Sequence, residues 1–202
     1  MTGGSMQSLR SVLSCGLVAG LTGATVLLPG ASAEAATTAQ RAGVKVPYTC
    51  NAAIGTVSAP ITVGGKTPAT GKSGAAVSMS GFEIHVHVSA AEVNKVIAIT
   101  HANSASGTVT KLAIHSTDAK PATVNAAAKP IAFGPIALVK NKAITIAVPH
   151  SPETIGKWVA QSTGTMTFTS GAVDLKIKVG SFTVVATCKP TKAVTVSTTQ
   201  VS

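Results

Sequence analysis

The chain has 202 residues, 45% of them hydrophobic, 11% charged and 3% aromatic, and it carries a net charge of +10. This length allows one domain with a core large enough to fold without metals or dense disulfides, and the hydrophobic fraction excludes a fully disordered chain. The six aromatic residues leave few stacking platforms for sugars or bases.

Arg10 is the only charge before an apolar run from Val12 to Leu28, which Pro29 and Gly30 break. Ala31-Ser32-Ala33 then supplies the small residues that a signal peptidase reads. The pattern predicts a secretory signal peptide over residues 1–33, with a second cleavage position near Ala35-Ala36. The protein is therefore expected outside the cell or in the cell wall, with no transmembrane anchor in the mature chain, because the run is short and rich in Gly and Thr. Cys15 opens the apolar run, whereas a lipobox cysteine would close it, so it reads as a passenger of the signal. Removing residues 1–33 takes Arg10 and no acid, lowering the net charge from +10 to +9. All but one of the remaining basic residues are Lys, a hydrated point charge poorly suited to bidentate reading of bases. The expected partners are anionic cell-wall polymers, with no specific nucleic acid.

Residues 34–45 are rich in Ala and Thr and read as a flexible leader. Short alternating runs follow: Val46 to Cys50, Pro60 to Val63, Ala76 to Val88, Gly107 to His115, Ile131 to Val139, Ala143 to Val148, Thr165 to Thr169, Val173 to Val179 and Phe182 to Cys188. Gly64-Gly65, Pro68 and Gly71 predict a loop between the second and third. Phe82, Ile84, Val86 and Val88 share one face of their run, as do Val173, Leu175, Ile177 and Val179, with Asp174, Lys176 and Lys178 on the other. Two helical signals interrupt the strands. Ser89-Ala90-Ala91-Glu92 is a capping box followed by Val93, Val96 and Ile97. Ser151-Pro152-Glu153 sets Pro at a first helical position before Ile155, Trp158 and Val159. Both predict short helices that close an end of a sandwich. Residues 191–202 read as a tail, either one further edge strand or a frayed end.

Two cysteines survive trimming, Cys50 and Cys188, and an oxidising compartment should pair them, clamping the first strand to the last. The whole predicts an all-β domain over residues 46–190, an immunoglobulin-like, Greek-key-type antiparallel β-sandwich with one or two short helices and one disulfide. A barrel is the alternative.

Val46-Pro47-Tyr48-Thr49-Cys50, Ser89-x-x-Glu92, Pro149-x-Ser151-Pro152 and Ala186-Thr187-Cys188-Lys189-Pro190 together resemble a family of exported actinobacterial two-cysteine β-sandwich domains of unknown function. The resemblance covers about Val46 to Pro190. It implies secretion, a β-sandwich and one disulfide, and it implies no activity and no catalytic residues.

Glu83, His85 and His87 are the best candidates for a metal site, since i, i+2 and i+4 share one face of a strand and two imidazoles with a carboxylate can hold zinc. His115 or His101 could add a fourth ligand. Lys66 to Ser73 is a near miss for a phosphate-binding loop, lacking its first glycine and its helix. Acids are scarce; Asp118 with Glu83 is the pair left for glycosidase chemistry, and no G-x-S-x-G elbow occurs. Lys140, Lys142, Lys176 and Lys178 alternate along strands and could form one basic face. The expectation is a secreted, non-enzymatic envelope domain without a cofactor, adhering to anionic wall polymers. The alternative is a zinc-binding module on Glu83, His85 and His87.

Overall fold

An alternating strand buries one face only when neighbouring strands carry the sheet past it, and this chain supplies many such strands. A computed structural model describes residues 43–53 and 55–202. The predicted signal peptide and most of the predicted leader lie outside the described residues.

In chain order the strands are β1 (Val44–Ala52), β2 (Gly55–Lys66), β3 (Thr70–Gly71) and β4 (Ala76–Val88), followed by helix α1 (Ala90–Thr100). Then come β5 (Ser104–Ser116), β6 (Ala119–Lys120), β7 (Thr123–Asn125), β8 (Ile131–Ala137), β9 (Ile144–Ala160), β10 (Gly164–Val179), β11 (Phe182–Pro190) and β12 (Thr195–Val201). The fold is all-β and sandwich-like, with one helix among the described residues and one disulfide. Hydrogen bonding runs β3-β12-β10-β11-β1-β2-β4-β9-β6, and β5 lies along β10 with β7 and β8 paired to β5. The β12–β3 pairing is parallel; those flanking β1 and β10 are antiparallel.

The inward side chains form one main cluster that draws on β1, β2, β4, β9, β10 and β12. Trp158 on β9 meets Phe168 on β10 edge to face, with centroids 5.0 Å apart and planes at 74°, although β9 and β10 share no ladder. Burial of such rings stabilises the fold by roughly 2–3 kcal/mol each. Tyr48, fully buried on β1, donates its phenol proton to the Gly171 carbonyl of β10 at 2.9 Å.

Cys50 and Cys188 stand directly opposite in the β1–β11 register and are joined as a disulfide. The predicted clamp between first and last strands is corrected in one respect: β11 is followed by β12. Residues 195–201 are held on two sides, by β10 and by β3, and Val196, Ser197, Thr199 and Val201 are buried.

The second predicted helix is not formed. Ser151 to Val159 belongs to β9. The helix-like spacing of Ile155 and Trp158 comes from a β-bulge: Met79 and Val77, two apart on β4, face Ile155 and Trp158, three apart on β9. Gly156 takes up the extra residue with φ of 71°, a left-handed conformation that costs glycine little. Trp158 and Ala160 then resume the period of two. Two further boundaries shift. Thr165 to Thr169 and Val173 to Val179 are one strand, bulged between Ser170 and Val173. The loop expected from Gly64 begins later, since β2 continues to Lys66. Thr67 then turns inward to Ser197 at 2.7 Å, and Ser73 leads into a strand, so the phosphate-loop near miss lacks its helix here as well.

Candidate functional site

Glu83, His85 and His87 occupy alternate positions on the outer face of β4, half-exposed while Phe82, Ile84 and Val86 turn inward. His85 Nε2 lies 3.6 Å from Glu83 Oε2. His87 is held away from that pair by its neighbours: Nε2 pairs with Thr62 Oγ1 at 2.9 Å and Nδ1 with Thr145 Oγ1 at 3.2 Å. His115 sits on β5, with Nδ1 2.8 Å from Thr123 Oγ1 and its ring against Gly171. His101 caps the C-terminus of α1 with φ of 52°. Among the described residues, no three His, Cys, Asp or Glu side chains come together in a group that could hold a metal. The predicted quartet is thus split: Thr62 and Thr145 hold His87, Thr123 holds His115, and His85 stays beside Glu83.

The four candidate lysines come from two places. Lys140 and Lys142 flank Asn141 in the turn between β8 and β9, which is tied to Asn94 of α1 by two hydrogen bonds of 2.8 Å. Lys176 and Lys178 lie on the outer face of β10, opposite Thr108 and Ser106 of β5, with Asp174 on the same face. Among the described residues, the lysines make no ion pair; the one basic side chain within 4.0 Å of a carboxylate is His85, beside Glu83. Asp118, the other half of the carboxylate pair considered above, sits in a turn at φ of 51°. Cys50 and Cys188 form the disulfide expected of them.

A different feature is assembled by α1. Its capping box is complete: Ser89 Oγ accepts from the Glu92 amide, and the Glu92 carboxylate accepts from the Ser89 amide at 3.0 Å. The helix buries a single residue, Val93, which packs on Ala105, Leu138 and Val179. Val96 and Ile97 are partly buried against the same cluster, and Val96 and Ile99 also border a gap between the helix and the sheet. The gap is a cavity of 160 Å³ whose floor is the Cys50–Cys188 bond with Ala52, Ala59 and Ala186. A second cavity of 240 Å³ continues it toward Phe182 and shares Val96, Ile99, Ile177 and Val184 with the first. Glu92 and Lys95 are the charged residues at its edge. Ile99, which borders both cavities, and Phe182, which borders the second, are each 50% exposed.

The sequence places α1 over one end of the sandwich but says nothing of this cleft. The signal that could have found it is the set of inward alanines, Ala52, Ala59 and Ala186. Small side chains at core positions beneath a Val/Ile helix face leave volume unfilled.

No family model matches the chain, and no curated protein matches it. Among solved structures, it is similar to a crystal structure from the actinobacterium Corynebacterium diphtheriae, of a protein described as membrane-anchored. The TM-score is 0.52 at 17% identity, over 80% of this chain and 37% of that one. This likeness is one of fold. Among the described residues, no helix is long and apolar enough to cross a membrane.

Proposed function

We propose that this chain is an exported, non-enzymatic domain of a bacterial cell envelope that adheres to anionic wall polymers through its lysines. The observation that carries this is charge without partners. The described residues hold fourteen lysines against five carboxylates, and no lysine among them is paired within 4.0 Å. Unpaired ammonium groups on a rigid β scaffold create a positive field that gathers polyanions. Export is supported by the sequence of residues 1–33 and by the disulfide, which persists in an oxidising compartment. An envelope location is supported by the fold it shares with a bacterial protein described as membrane-anchored.

The test is co-sedimentation of the purified chain with isolated cell walls, at about 0.1 M and about 1 M salt, where the Debye length falls from about 10 Å to about 3 Å. Binding is expected at the lower salt, lost at the higher, and weakened when wall teichoic acids are stripped. The quadruple variant Lys140→Gln/Lys142→Gln/Lys176→Gln/Lys178→Gln is expected to bind less. Absent or salt-insensitive binding refutes the proposal.

A further inference from the structure

We propose that the cleft beneath α1 binds the acyl chain of a single-chain anionic amphiphile, a long-chain carboxylate, with its head at Lys95. This goes beyond wall adhesion and does not depend on it.

The lining sets the ligand's tail. The first chamber is lined by the two half-cystines and by Ala, Val, Ile and Leu175 side chains, with both charged groups at the edge, and the second adds Phe182, Thr183 and Thr100, whose hydroxyl is already given to the Val96 carbonyl. A polar ligand entering such a site would lose hydrogen bonds to water and regain none, whereas an apolar one loses nothing. The size is sufficient. An engineered apolar cavity of about 150 Å³ stays dry and takes up benzene. The first chamber alone is 160 Å³, and the adjoining chamber adds 240 Å³. Two chambers in a row sharing Val96, Ile99, Ile177 and Val184 form a channel, which suits a chain better than a compact ring.

The edge sets the head group. The floor carries no donor for a carboxylate, so the head must stay at the mouth. There the Glu92 carboxylate is committed to the Ser89 amide and hydroxyl at 3.0 Å, while the Lys95 ammonium is exposed and unpaired. Glu92 and Lys95 offset one another at the mouth, and the described residues as a whole carry fourteen lysines against five acidic side chains. That overall positive charge favours an anion over a cation. Ile99, which lines both chambers, and Phe182, which lines the second, are each half in water in the unliganded protein; a chain running from Lys95 through the first chamber into the second would cover Ile99 and then, with its distal methylenes, Phe182.

The experiment is calorimetric titration of the full chain with octanoate, decanoate and dodecanoate. Saturable binding is expected, tightening about fourfold per added methylene, from about 0.8 kcal/mol per buried CH₂, until the channel is full. Dodecyltrimethylammonium is expected to bind more weakly than dodecanoate. Lys95→Glu should weaken dodecanoate about fivefold, as an exposed charge reversal does, and leave dodecanol unchanged. Ile99→Glu at the exposed mouth and Val184→Trp within the channel should each abolish binding; an unchanged melting temperature for Ile99→Glu shows that the fold is intact. Affinity independent of chain length, or binding unaffected by both Ile99→Glu and Val184→Trp, overturns the proposal. So does self-association that Ile99→Glu abolishes without any bound dodecanoate, which would assign this face to a second copy of the chain.

Discussion

Tyr48 and Gly171 are 123 residues apart in sequence and joined by a 2.9 Å hydrogen bond from the phenol to the backbone carbonyl in the buried interior. The bond satisfies a carbonyl at the bulge of β10, where the ladder to β5 slips between Ser170 and Val173. Tyr48→Phe keeps the ring and strands that carbonyl. We expect a loss of about 1–3 kcal/mol in urea unfolding, the cost of a buried polar group left without a partner.

The same residue makes stability depend on alkaline pH. Burial pushes the Tyr48 phenol above its ordinary value of 10.0, and the neighbouring Ser170 hydroxyl opposes this in part. Between the unfolded and folded values, the unfolded chain has lost the proton that the folded chain keeps. Tyr48 therefore contributes full stability below pH 10, and that contribution is lost as pH rises from there through the folded value. Unfolding measured above and below pH 10 should show this decline in the native chain and a shallower one in Tyr48→Phe.

The disulfide spans 138 positions of sequence. Its removal frees the denatured chain from a long closed loop, and Cys50→Ala/Cys188→Ala should lose about 2–5 kcal/mol. Urea midpoints with and without reductant check this: reductant should lower the native chain's midpoint toward that of the variant and leave the variant unmoved.

Two glycines with similar backbone angles should respond differently to alanine. Gly74 has φ of 78° with open space where a Cβ would go, and Gly156 has φ of 71° with the Trp158 ring there. Gly74→Ala should cost about 1–2 kcal/mol for the left-handed backbone alone. Gly156→Ala should cost about 2–5 kcal/mol, because the buried indole must also move. Equal losses in thermal unfolding would show that Trp158 does not depend on the bulge.

Much of the architecture was legible in the chain because its signals are local. The alternation over 76–88 coincides with β4 from Ala76 to Val88. Ser89 and Glu92 form the capping box that their spacing implies. Cys50 and Cys188 are bonded. The misread segment, 151–159, failed for an identifiable reason: one left-handed glycine in a strand turns a spacing of two into three, which matches a helix turn until the partner strand is known.

The candidate sites were less legible. Alternation puts Glu83, His85 and His87 on one face of β4. Whether they act together depends on what the flanking strands present, and β2 and β9 present Thr62 and Thr145 to His87.

Composition, alternation and cap chemistry by themselves pointed to an all-β domain, a capped helix at Ser89 and a bridge between Cys50 and Cys188, since each depends on residues close in sequence or on the scarcity of cysteine; the same local signals also pointed to a second helix at Ser151, which the structure replaces with strand. Only the tertiary structure decided how far α1 stands from the sheet, which imidazoles meet hydroxyls and where the strands bulge. Those outcomes depend on which distant strands pair and how much volume their side chains fill, and no single segment carries that information.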